Sequence, residues 1–325
     1  MKLTNLLSPL IALVGSLFFI QCSNDEGLFS SFELEEPPYT SVEEVQDSLV
    51  TPTIYTFEYP DNDTDTTFIT PRGIRLHFPQ NSISVGDSTT VGTHLPPYSV
   101  KIIEIFTRGD LIRQHIQTYQ SSNNGIMPIV SGGMFWLEVT NANGIPVNLH
   151  GVEAYIPFQT DADGYEDLMD YFMGTISIPD TYIKSLYPGQ ADLYYDPVPV
   201  PNGEFVIYNV KNGYNAGGAY LENELPTQFY LKINGVSSFD NLRAYVTFDD
   251  YTTVGGISLV DGDRLKVFNG MIPQGTTGKI IVYGVENGEL LLGNQNIVVL
   301  GDDEFEMTLT PGTIEELSEL LNSLD

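Results

Sequence analysis

The chain has 325 residues, a formal net charge of −30, 17% charged and 42% hydrophobic residues, and one cysteine. A surface this acidic repels phosphate backbones and anionic headgroups, which argues against a nucleic-acid partner. A single cysteine excludes an intrachain disulfide, a zinc–cysteine cluster and a thioredoxin-type motif. Frequent turn residues, 30 Gly and 20 Pro, alternate with runs that hold most of the 19 Tyr and 17 Phe. That composition predicts an all-β chain of many short strands, long enough for two domains and a tether.

In chain order, Lys2 precedes an apolar run from Leu6 to Ile20, the pattern of a secretory signal. The run is short for a membrane-spanning helix, which needs about 20 apolar residues. It ends at Cys22, the lone cysteine. The stretch Phe19-Ile20-Gln21-Cys22 resembles a lipoprotein signal, cut before a cysteine whose thiol takes a diacylglycerol. It departs from that pattern at Gln21, where a small residue is usual. Ser23-Asn24-Asp25-Glu26 resembles the acidic export signal of Bacteroidetes-type surface lipoproteins. Together these resemblances imply a signal peptide over 1–21, a lipidated Cys22, and an outer-membrane protein exposed at the cell surface. An uncleaved signal anchor with an incidental cysteine is the alternative.

Residues 22–52, with Glu33, Glu35, Glu36, Pro37 and Pro38, read as a flexible acidic tether, and Ser41-Val42-Glu43-Glu44 can cap one short helix within it. From Thr53 the hydrophobic period becomes two. Ile74, Leu76 and Phe78 share one strand face, and Lys101 to Phe106, Met134 to Val139 and Glu153 to Pro157 follow the same pattern. Ser131-Gly132-Gly133, Asn143-Gly144 and Asp163-Gly164 supply turn chemistry between them. Residues 53–160 are expected to form an N-terminal antiparallel β-sandwich. Residues 161–225, broken by prolines, read as an irregular inter-domain region with some strands. Residues 226–312 carry a second strand series, including the Asn287-Gly288 hairpin turn, and are expected to form a second, immunoglobulin-like sandwich. Thr313-Ile314-Glu315-Glu316 is a capping box, and Ile314, Leu317, Leu321 and Leu324 form the apolar stripe of a C-terminal helix over 313–325.

Three stretches carry a family resemblance. Gly73-Ile74-Arg75-Leu76-His77-Phe78-Pro79-Gln80-Asn81-Ser82 resembles the opening of the β-sandwich domain named after zonula occludens proteins and netrin receptors. Ser131-Gly132-Gly133-Met134-Phe135-Trp136-Leu137-Glu138-Val139 resembles a later strand of that domain, and Asn143-Gly144-Ile145-Pro146-Val147 fits its following turn. The resemblance covers about a third of the chain. It implies a non-enzymatic interaction or structural module and brings no catalytic residues with it.

The residues themselves offer little chemistry. His77, His94, His115 and His150 sit in no metal or nucleophile motif, and His77 is expected on an exposed strand edge. No cofactor is implied apart from calcium at an acidic loop. Asp161-Ala162-Asp163-Gly164-Tyr165-Glu166-Asp167 offers Asp161, Asp163 and Asp167 as calcium ligands around a glycine turn, and Asp61-Asn62-Asp63-Thr64-Asp65 is a weaker version. A solvated acidic loop is the other reading of both. Tyr194, Tyr195, Tyr214 and Tyr220 could stack on sugar rings or fill a core. The function expected is therefore a non-enzymatic outer-membrane lipoprotein that contacts other outer-membrane proteins of a surface assembly, anchored by lipid in the membrane. A glycan-binding or adhesive surface module is the alternative.

Overall fold

In a computed structural model the chain is described at residues 39–50, 53–61, 63–84, 96–122, 125–158, 170–174, 184–185, 187–188, 198–200, 203–221, 225–268 and 272–324. It is mostly β, in several largely antiparallel sheets, with three helices among the described residues. The helices are α1 (Val42–Val50), α2 (Arg108–Arg113) and α3 (Ile314–Asn322).

The alternating pattern after Thr53 becomes two sheets. One has seven strands, ordered Tyr55–Tyr59, Tyr98–Ile105, Gly125–Thr140, Gly213–Tyr220, Asp170–Gly174 and Tyr187–Pro188, with Tyr119–Ser122 also paired to Gly125–Thr140. The other has five, ordered Val198–Val200, Glu204–Ile207, Glu153–Pro157, Arg75–Phe78 and Thr66–Ile69. Strands from the span expected to be irregular and inter-domain, such as Gly213–Tyr220 and Glu204–Ile207, are thus built into both sheets. Ile74, Leu76 and Phe78 are fully buried on one face, as the period of two requires, and share a core with Val100, Phe135 and Phe205 from the two sheets.

Ser131-Gly132-Gly133 is not a turn. It lies inside a single 16-residue strand, Gly125–Thr140. Its register with Gly213–Tyr220 shifts between Gly217 and Gly218, so the glycines accommodate a bulge that bends the strand. Gly133 has φ +136, and a Cβ there would lie 2.9 Å from Cγ2 of Ile156 on the facing sheet. The glycines are present because the sheets approach closely, not because the chain reverses. Trp136 lies on the opposite face from Phe135 and Leu137, half-buried against the core that the seven-stranded sheet shares with the helices. His77 also departs from expectation. Its strand lies between Glu153–Pro157 and Thr66–Ile69, so it is interior to the sheet, and the ring shares a hydrogen bond with Thr67 Oγ1 at 3.2 Å.

The second strand series forms a four-stranded sheet (Leu259–Asp261, Arg264–Lys266, Phe229–Asn234, Asp303–Thr308) and a five-stranded one (Val254–Gly256, Leu242–Phe248, Thr277–Glu286, Glu289–Val298, Thr310–Pro311). The Asn287-Gly288 hairpin forms, with φ of 53° and 84° at the two turn residues. Phe229–Asn234, the first strand of the four-stranded sheet in sequence, pairs parallel with Asp303–Thr308, the last. Leu231, Val246, Ile280 and Val282 are among the residues that fill the core of this region.

A third core joins everything to the helices. Val42, Val45 and Leu49 of α1, Leu111 and Ile112 of α2, and Leu317 and Leu321 of α3 cluster with Ile105 and Met134 from the seven-stranded sheet and with Tyr245, Ile281 and Tyr283 from the C-terminal five-stranded sheet. Tyr39–Asp325 accordingly form one compact unit. Within the span expected as a flexible tether, residues 42–50 are therefore a packed helix, because every third or fourth residue is apolar and has a core to enter. The C-terminal helix forms as its sequence predicts, with Thr313 and Glu316 in a reciprocal capping box. Helix α2 was not foreseen. Its box is Thr107 with Asp110 in place of the usual Glu or Gln, and it contains Gly109, a poor helix former.

Candidate functional site

The candidate site is a cleft of about 410 Å³ at one side of the C-terminal strands, within the size range of ligand and peptide pockets. It exists because Val254–Gly256 pairs only with Tyr245–Thr247. The preceding residues of that strand, Leu242, Arg243 and Ala244, lose a strand neighbour on this side, and the chain departs through Ile257 to the hairpin of the other sheet. A single backbone bond, Ile257 N–H to the Ala244 carbonyl at 2.9 Å, marks the departure.

The floor is apolar. Leu242, Ala244, Ile257 and Leu265 line it and are all buried members of the C-terminal core. Half-buried Phe239 and Phe268 and the exposed Val260 and Ser258 form the rim. The polar groups come from elsewhere in the chain. Glu43 reaches in from the first turn of α1 and pairs with Arg243 Nη2, while Arg243 Nη1 donates to the Leu242 carbonyl at 3.1 Å. The Arg243 side chain is only 12% exposed, so this ion pair is partly desolvated and fixed in place. Asp240, in the turn before the strand, accepts from Ser238 Oγ at 2.9 Å.

His115 closes the inner end. It follows α2 in the left-handed region, φ +56, and its ring stands edge-on to Tyr245 at 6.0 Å. From its Nδ1 a chain of buried hydrogen bonds runs inward to the Tyr245 hydroxyl, then to Tyr283, then to Gln46 Oε1. Burial pushes the Tyr283 phenol up to about 12 and Tyr245 well above its usual range, so both stay protonated hydrogen-bonding groups at neutral pH. The Gln46 amide donates in turn to the Ile112 carbonyl at 3.2 Å and to that of Arg113. The floor of the cleft is thereby tied to the helices.

Chemically, this arrangement offers shape, an apolar surface and a fixed ion pair. Arg243 and Glu43 are engaged with each other and hold the walls in position.

The residues singled out in the sequence lie elsewhere. Cys22 and the calcium candidates Asp161, Asp163 and Asp167 fall outside the described residues, as do His94, Tyr194 and Tyr195. In the weaker acidic loop, Asp61 accepts from the Asp63 N–H at 3.0 Å, and Asp65 accepts from the Gln80 N–H at 2.7 Å. Those two carboxylates serve as turn caps. Among the described residues no group of three or more His, Cys, Asp or Glu side chains is placed to hold a metal. Tyr214 is buried, and Tyr220 packs edge-on against Phe172, so both fill the core and present no platform for sugars. His150 bonds Ser84 on the surface, and among the described histidines His115 alone lines the cleft. One hint of the site is legible in the residues themselves. Arg243 is a lone cation inside the apolar Leu242–Phe248 strand.

Neither a protein-family model nor a curated protein sequence matches this chain.

Proposed function

We propose that this chain is a lipid-anchored protein of a bacterial outer membrane, acylated at Cys22, whose body of two β-sandwiches makes protein contacts in a surface assembly. The observation that carries the reading is the cleft beside Arg243: an apolar concavity of about 410 Å³ whose one arginine is already paired with Glu43, which suits binding. The strand pairs that share the N-terminal and the C-terminal cores support the two-sandwich description. The leash also fits. Sixteen residues lie between Cys22 and Tyr39, a span of at most about 60 Å when fully extended. Just beyond it α1 buries Val42, Val45 and Leu49 in the body, so a pull on the lipid end is borne by a packed helix.

The test is affinity purification of the tagged full-length protein from cross-linked cells, with a Cys22→Ser variant beside it. The expected result is recovery of outer-membrane proteins in fixed stoichiometry with the wild type, and loss of both membrane association and partners with the variant. Recovery of the wild type alone, or an unchanged membrane fraction for Cys22→Ser, would overturn the reading.

A further inference from the structure

We infer that the cleft seats an extended segment of a partner protein, lying along the open edge of the Leu259–Asp261 strand, with an apolar side chain on the cleft floor and a lysine or arginine beside Asp240. The inference rests on the reading of the chain as a binding protein and is independent of the lipid anchor.

Three observations converge. First, Leu259–Asp261 is the end strand of its sheet and is paired, among the described residues, only with Arg264–Lys266. An end strand leaves a row of main-chain donors and acceptors on its outer side, the template for strand addition. Val260 on this strand is 64% exposed, an unusual place for a valine on a soluble edge that natural proteins commonly guard with charge. Second, the apolar floor opens beside that edge, so alternate side chains of an added strand would enter it. Third, the charge is unbalanced. Arg243 is neutralised by Glu43, whereas Asp240 has no cationic partner among the described residues, and its carboxylate takes only the Ser238 hydroxyl. The chain as a whole carries −30. A basic group is attracted to this rim and an acidic one repelled. A glycan fits less well, because its hydroxyls would lie against Leu242, Ile257 and Leu265 without partners.

Purified full-length protein in detergent would be titrated into fluorescent five-residue peptides that alternate threonine with leucine and lysine. Companion peptides replace the lysine by glutamate or the leucine by asparagine. The leucine–lysine peptide is expected to bind saturably with a Kd on the order of 1 mM or tighter, and the glutamate and asparagine versions about tenfold more weakly. Asp240→Lys, a change at an exposed turn, is expected to reverse the preference between lysine and glutamate. Of two copies N-methylated on opposite sets of alternate amides, one should lose binding and the other retain it, the signature of pairing to an edge. Absence of saturable binding, equal affinity for the lysine and glutamate peptides, or equal tolerance of both methylation patterns would overturn the proposal. These measurements use purified protein, so they stand or fall separately from the result of cross-linking in cells.

Discussion

Gly109 and Leu321 touch backbone to backbone: a Cβ placed on Gly109 would lie 2.0 Å from the Leu321 carbonyl oxygen. Helices α2 and α3 cross at this point with no side chain between them, and the flanking arginines exploit the proximity. Arg108 Nε donates to the Leu324 carbonyl at 2.5 Å, and Arg113 Nη2 donates to the Ser318 carbonyl at 3.2 Å and to Asn322 Oδ1 at 2.6 Å. Helix α3 has no basic residue in its own last turn. Its C-terminal carbonyls and the negative end of its dipole are satisfied by a helix about 200 positions earlier in the chain.

Replacing Gly109 by alanine should therefore force the helices apart, although alanine is the better helix former. The expected loss is about 3 kcal/mol, the upper end of overpacking effects. Urea unfolding would read it as a lower midpoint with an unchanged slope. A variant as stable as the wild type would mean that α3 can shift freely on α2.

Gln46 links three elements, so its removal should cost more than its half-exposed position suggests. Its amide covers the Ile112 and Arg113 carbonyls at the end of α2, and its carbonyl accepts from Tyr283. Gln46→Ala leaves the fully buried Tyr283 hydroxyl without its acceptor, and the expected loss is about 2 kcal/mol. Thermal unfolding followed by circular dichroism would measure it. A change within error would show that water replaces the glutamine without cost.

Legibility in the sequence followed the range of the interactions. Elements specified by local spacing were readable: the buried face of Ile74, Leu76 and Phe78, the Asn287-Gly288 hairpin, and the capped α3. Elements decided by distant partners were not. Ser131-Gly132-Gly133 has turn chemistry, yet its role is set by the facing Ile156 and by the bulge at Gly132, which faces the step from Gly217 to Gly218 on the paired strand. Helix α2 is six residues long, below the length at which propensity decides, and it is held by α3 and α1. Beyond the lone cation Arg243, the cleft was not readable for the same reason, since Glu43, His115 and Arg243 are brought together by the helical core.

Asn215 shows how a buried polar residue can fix a local structure. It is fully buried in the seven-stranded sheet, and all its hydrogen-bonding capacity is used. Oδ1 accepts from the Lys211 N–H at 3.1 Å and from the Tyr171 hydroxyl at 2.7 Å, while Nδ2 donates to the carbonyls of Lys211 and Gly213 at 2.8 and 3.0 Å. Asn215→Ala removes all four hydrogen bonds and should cost about 3 kcal/mol. Asn215→Asp should be at least as damaging, because a carboxylate oxygen would face two carbonyls. Denaturant unfolding of both variants checks this, and a milder effect for aspartate than for alanine would contradict the donor assignment.

The buried tyrosines set an alkaline limit on stability. Tyr283 has an ordinary phenol pKa of 10.0 when unfolded and is pushed up to about 12 in the fold, chiefly by burial. Below pH 10 both states keep the proton, and the group adds no pH dependence. Between pH 10 and 12 the unfolded chain releases the proton while the folded chain retains it, so stability falls, by on the order of 2–3 kcal/mol for this group alone. Tyr245 and Tyr119, also raised well above the usual phenol range by burial, add to the decline. In Tyr283→Phe the contribution of this phenol is absent. At pH 8 the variant should be about 1 kcal/mol less stable than the wild type, because Gln46 loses its donor. The gap should close and then reverse as the pH rises from 10 to 12. Unfolding free energies of the two proteins across that range test it, and a constant gap would show that Tyr283 releases its proton in the fold as readily as in the unfolded chain.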